Sequence, residues 1–168
     1  MPVLLWQTVM EINVLIDEGL EGSLDVAWLE SVAAEVLLAE NTDPGSELGL
    51  VITGQEKIRE LNLVHLGEDE PTDVLSFPML PESGDEEDSG TFIVPPDGMS
   101  HLGEVIISCP QAIIQAEERG HSVQKEVATL IIHGVLHLLG YDHDEPEREG
   151  RMQARESEIL ARVEEKGY

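Results

Sequence analysis

The sequence predicts an α/β (α+β) domain: a small mixed sheet of about four strands, packed with about five helices around a central histidine-bearing helix. Three observations carry this expectation. Short β-branched runs alternate along the chain with segments of helical period. The stretch from Val127 to Leu139 is apolar nearly all round, the mark of a buried central helix. The 168 residues, 41% of them apolar, suit a single domain over residues 1–168 with a real core.

The elements follow in order. Val9 to Ile16 is β-branched and partly alternating, and reads as a strand. Asp25 stands where a helix cap belongs, and Val26, Leu29, Ala33, Val36 and Leu37 recur at helical spacing to about Glu40. Asn41-Thr42-Asp43-Pro44-Gly45 is a turn cluster. Leu48 to Thr53 reads as a strand, and Gly54 to His65 as a helix with Ile58 and Leu61 inward. Val74 to Phe77 is a short strand. Leu80 to Ser100, with three prolines, three glycines and the run Asp85-Glu86-Glu87-Asp88, reads as a solvated acidic surface loop within the domain (residues 80–100). Glu104 to Ser108 reads as a buried strand. Pro110 suits the first turn of a helix to about Arg119, with Ala112, Ile113 and Ala116 inward. Ser122 caps the central helix, which stops at Gly140. Asp144 and Pro146 open a last helix with Met152, Ile159, Leu160 and Val163 inward.

Charge narrows the function. Nine Lys and Arg stand against 35 Asp and Glu, a formal net charge of −26. A chain this acidic is not expected to coat DNA, RNA or anionic lipid non-specifically, because each phosphate contact needs a cation. The first 56 residues hold no Lys or Arg, nor do residues 60–118, and five of the nine cations follow His143. The apolar N-terminal residues lack the basic flank of a signal peptide. Val127 to Leu139 is shorter than the roughly 20 residues of a membrane span. The expected compartment is therefore the cytoplasm, with no membrane partner. A lone Cys109 excludes a disulfide framework and a Cys-rich zinc finger.

The chemistry sits in His133-Gly134-Val135-Leu136-His137-Leu138-Leu139-Gly140-Tyr141-Asp142-His143. His133 and His137 are one helical turn apart, about 40° around the axis at roughly 100° per residue. Gly140 permits a tight reversal that returns His143 to the same point. Three neutral imidazoles suit one Zn²⁺ and leave a position for water, whose pKa such a site lowers to about 7. Cys109 is a candidate fourth ligand or a small buried hydrophobe. The spacing matches the ligand pattern of metzincin proteases. Those carry Glu directly after the first His; here Gly134 leaves a protease without its base.

Supporting roles are open in the sequence. Asp142 can orient a ligand imidazole or serve the turn. Thr72 and Asp73 can line a groove or shape the entry to a strand. Arg148, Arg151, Arg155 and Arg162 share a band of roughly 60° on the last helix. They can track substrate phosphates, or pair with carboxylates such as Glu147 and Glu158. His121 can cap or pair near the start of the central helix.

The His133–His143 run resembles the signature of the bacterial YbeY endoribonucleases, the rRNA maturation factors. Pro71-Thr72-Asp73-Val74-Leu75-Ser76-Phe77-Pro78 is similar to a second block of that family. Leu102 to Ser108 is similar to a third, with Glu104 where Asp is usual. Gln115 to Ser122 and the Met152/Glu156/Ile159-Leu160 pattern also fit. The resemblance implies a single-strand-specific zinc endoribonuclease with one Zn²⁺ on His133, His137 and His143. It further implies action in 16S rRNA 3′-end maturation and ribosome quality control. The implied partners are the small ribosomal subunit, one of its proteins and an assembly GTPase. Family members usually carry Tyr-Arg shortly before the Pro-Thr-Asp block; this chain has His65-Leu66. A guanidinium suits a phosphorane-like transition state and Leu66 does not. A ribosome-assembly binding factor with weak or lost catalysis is therefore the alternative reading, ahead of a metalloprotease.

Overall fold

A computed structural model describes residues 10–20, 24–78, 100–142 and 144–166. Among these residues nine elements follow one another: β1 (Glu11–Ile16), α1 (Val26–Ala39), β2 (Ser46–Thr53), α2 (Gln55–Leu66), β3 (Val74–Pro78), β4 (Ser100–Ser108), α3 (Cys109–Arg119), α4 (Val123–Leu138) and α5 (Pro146–Lys166). The strands form one sheet in the order β1-β2-β4-β3. β1 with β2 and β2 with β4 are parallel, and β3 runs antiparallel to β4. The expected mixed sheet and helix set are therefore present.

Strand periodicity sorts the side chains between two faces. Leu48, Leu50 and Ile52 of β2, with Val105 and Ile107 of β4, join Leu29 and Val36 of α1 and Ile131 and Val135 of α4 in the main core. Val51, Leu75 and Ile106 face the other way, onto Ile58 and Leu61 of α2 and onto Phe77. Helix α4 touches α1, α3, α5, β3 and β4, which is why its sequence is apolar on nearly every side. Among the described residues no helix is long and apolar enough to cross a membrane.

Three expectations are corrected locally. β4 begins at Ser100, not Glu104, because its register against β2 shifts between Glu47 and Leu48. Leu102 is the residue passed over in that pairing, next to Gly103 at φ 135°; this bulge hides the strand from a search for regular alternation. Asp25 makes no side-chain cap, and only its carbonyl accepts, from Leu29 N–H at 3.0 Å. Ile113 is 48% exposed. The inner stripe of α3 is Cys109, Ala112 and Ala116, small side chains that let the helix approach closely. Ser108 caps α3 by accepting from Gln111 N–H at 3.2 Å, as Ser122 caps α4 through Lys125 N–H at 3.1 Å. Residues 79–99, which hold nearly all of the expected acidic loop, lie outside the described residues.

Candidate functional site

The C-terminal half of α4 presents His133 and His137 with ring centroids 4.6 Å apart, edge to face at 79°. Gly140, at φ 105°, then turns the chain. Its N–H donates to the His137 carbonyl and Tyr141 N–H donates to the Leu136 carbonyl, both at 3.0 Å. Each imidazole has an acceptor on Nδ1. His137 Nδ1 lies 3.0 Å from the Tyr141 carbonyl, and His133 Nδ1 lies 2.5 Å from Glu156 Oε2. A carbonyl or carboxylate oxygen only accepts, so Nδ1 carries the proton in both neutral rings. Nε2 then carries the lone pair. Outer acceptors fix metal-binding histidines in this way.

A second network holds the turn after α4. The Tyr141 hydroxyl donates to Glu40 Oε1 at 2.8 Å. Arg155 donates to Glu40 Oε2 from Nε at 2.7 Å and to the Ala39 carbonyl at 3.1 Å. Burial and Glu40 push the Tyr141 phenol above its ordinary pKa, keeping it a donor. Adjacent residues of α5 thus act on both imidazoles: Glu156 directly on His133, and Arg155 through Glu40 and Tyr141 on His137. Reading the sequence for ligands alone assigns Glu156 no role. Its signal is a carboxylate on the apolar stripe Met152, Glu156, Ile159, Val163.

The two histidines line a groove of about 890 Å³ between the α4 turn, the end of α2 and β3. Thr72, Asp73 and Asp142 line it too, as do His65 and Leu66. Thr72 Oγ–H donates to Asp73 Oδ1 at 3.3 Å, and the Asp73 carbonyl accepts from Ser108 N–H at 2.9 Å. These two residues therefore shape the entry to β3 and face the groove as well. Arg148 and Arg151 border a neighbouring hollow of about 510 Å³ that shares Gly140, Tyr141 and Asp142. Arg148 lies 3.6 Å from Asp144, and Arg151 lies 3.8 Å from Glu147. Arg162 pairs with Glu35 of α1, and Glu158 pairs with Arg155.

Among the described residues no three His, Cys, Asp or Glu side chains form an ion-sized cluster. His133 and His137 stand as a pair, and His143 lies outside the described residues. The donor chemistry of that pair, two imidazoles each with Nδ1 occupied, fits a borderline-soft divalent ion. Cys109 is buried in the main core and does not line the groove; burial pushes its thiol pKa up. His121 pairs with Glu126 at the start of α4.

Gly134 explains the missing protease base. A Cβ there would lie 2.6 Å from Val105 Cγ1 and 3.2 Å from Ser76 Oγ, so position 134 points at the sheet. Ser76 Oγ–H donates to the Gly134 carbonyl at 3.0 Å, holding α4 against β3. Gly134→Ala is expected to lose about 1–3 kcal/mol of stability by overpacking, despite the better helix propensity of Ala. Urea unfolding measures this directly.

Comparison with known proteins decides the family. The family model for endoribonuclease YbeY matches residues 20–164. The chain belongs to the YbeY endoribonuclease family. An endoribonuclease YbeY of Dehalococcoides mccartyi is 50% identical over 157 residues, covering 93% of this chain and 98% of the relative. That of Chloroflexus aurantiacus is 43% identical over 150 residues, covering 89% and 92%. A solution structure from Thermotoga maritima matches with a TM-score of 0.58 at 28% identity, covering 90% of this chain and 88% of that one. Of the departures from the YbeY pattern, the acidic insertion Glu82–Asp88 lies outside the described residues, and two others have places. Leu66 closes α2 at the groove, 59% exposed. Glu104 lies on a separate hollow with Asn13, Glu47 and His101.

Proposed function

We propose that this YbeY chain is a cytoplasmic, zinc-dependent, single-strand-specific endoribonuclease of 16S rRNA 3′-end maturation and ribosome quality control. The observation that carries the reading is the pair of imidazoles on α4, each fixed through Nδ1 by its own acceptor, on the groove of a chain from an endoribonuclease family. His133, His137 and His143 hold the zinc, one per chain. Bound there, zinc supplies Lewis-acid polarisation of a phosphodiester. Glu156 and the Tyr141 carbonyl keep the ligand rings in register. Asp142 adjoins His143 in sequence and orients that ligand. Asp73 and Thr72 line the substrate side of the groove. Arg148 and Arg151 meet the substrate strand at the neighbouring hollow, while Arg155 acts inward, on Glu40.

A specific observation keeps the second reading, an assembly factor with weak catalysis. Leu66 puts an alkyl group on the groove where the family uses a guanidinium. In either reading the partners are the small subunit, one of its basic proteins and an assembly GTPase. The net charge of −26 favours docking on a basic protein, an attraction that salt screens. Cleavage of a 3′-extended small-subunit rRNA fragment by the zinc-loaded chain separates the readings; one bound zinc without cleavage favours the binding factor. Leu66→Arg is expected to raise kcat/KM about 10-fold or more, the scale of one charge-assisted contact to a transition state. Steady-state kinetics checks it, and an unchanged rate would mean position 66 is not near the reacting phosphate.

A further inference from the structure

The charge census of the molecule limits how this groove can hold RNA. All nine Lys and Arg of the chain lie among the described residues, and each stands 2.5 to 3.9 Å from a carboxylate. None of them lines the groove, whose acidic side chains among the described residues are Asp73 and Asp142. A phosphate chain entering there meets carboxylates and imidazoles. The groove also carries an aromatic and apolar surface: Phe77, His65, Leu66 and Pro78. The Phe77 ring lies 4.8 Å from the His65 ring, tilted 52°. One flank of Phe77 packs on the cluster of Ile58, Leu75 and Ile106. The ring is therefore held by the core while it contributes to the groove.

We propose that Phe77 with His65 forms a base-stacking subsite, and that contact with an unpaired nucleobase, more than phosphate neutralisation, holds RNA over the histidines. Every base has a π-face, so such a platform is tolerant of sequence. Stacking also requires the base to be out of a duplex. The inference rests on the endoribonuclease reading for its ligand class, and its test does not need cleavage.

The test measures binding of a fluorescent single-stranded oligoribonucleotide to the full chain across salt concentrations. Only Arg148 and Arg151, both on exposed pairs at the neighbouring hollow, are placed to trade a carboxylate for a phosphate. Two such contacts give a log–log salt slope no steeper than about −1.4, at about 0.7 per phosphate for single strands. Phe77→Leu keeps an apolar side chain on the core but removes the π-face; it is expected to weaken binding about 10-fold. Phe77→Tyr should restore binding. Nucleosides should compete for the site and inorganic phosphate should not. With active enzyme, Phe77→Leu should raise KM and leave kcat nearly unchanged. A slope near −3 or steeper, competition by phosphate, full affinity in Phe77→Leu, or no binding of the oligoribonucleotide would each overturn the subsite. Absence of cleavage alongside nucleoside-competed binding would count against the nuclease reading and leave the subsite standing.

Discussion

Zinc-loaded His137→Ala is expected to cut a 3′-extended small-subunit rRNA fragment at least about 1000-fold more slowly than the parent chain. That is about 4 kcal/mol of transition-state stabilisation, the scale a bound metal supplies. The loss follows from position. His137 sits on the last turn of α4, lines the groove, and has its Nδ1 fixed by the Tyr141 carbonyl. Alanine removes the remaining ring nitrogen, the proposed metal donor, and suits a helix. Bound zinc should fall below one per chain while the unfolding midpoint of the metal-free protein barely moves. Chelator treatment of the parent chain should reproduce the loss, and added zinc should reverse it. Retained cleavage in His137→Ala would remove the metal from the mechanism.

The second large effect concerns stability. Glu126, at the start of α4, is fully buried. Gln115 Nε2 and Arg119 Nη1 donate to its Oε2, both at 2.7 Å, and His121 Nε2 lies 2.6 Å from its Oε1. Removing the partners of a buried carboxylate strands a charge in the core, which costs more than the pair contributes. The double variant Arg119→Ala/His121→Ala is expected to lose about 3 kcal/mol, the low end of the usual range for buried pairs. The discount reflects Arg119, whose side chain is 54% exposed. For a chain of this size that lowers Tm by about 10 °C. Calorimetry of the metal-free protein reads it. The zinc affinity of the folded protein should stay the same, because the cluster lies at the opposite end of α4 from the histidines. A Tm within about 2 °C of the parent would show that water reaches Glu126 as readily as its partners do.

The sequence alone determined whatever depends on neighbours along the chain. Helical spacing laid out α1, α3, α4 and α5, and partial alternation laid out β1. The i, i+4 spacing put His133 and His137 on one face, and Gly140 marked the end of their helix. Local steric and periodic rules act over a few residues, so they are legible in a linear string. Even there, the bulge at Leu102 and the exposure of Ile113 escaped, because both depend on which surface the element leans on.

The tertiary structure decided the rest. Arg155 falls in the same helical band as Arg148 and Arg151, yet it turns inward because Glu40, 115 residues away in the chain, lies beside it. Glu156 gains its role only because α5 crosses α4 at His133. Gly134 is small because β4 presses Val105 against it. The groove itself joins residues 65–66 and 72–78 to residues 133–142. Such partners are chosen by the packing of distant segments into one dense core, and periodicity carries no record of that choice.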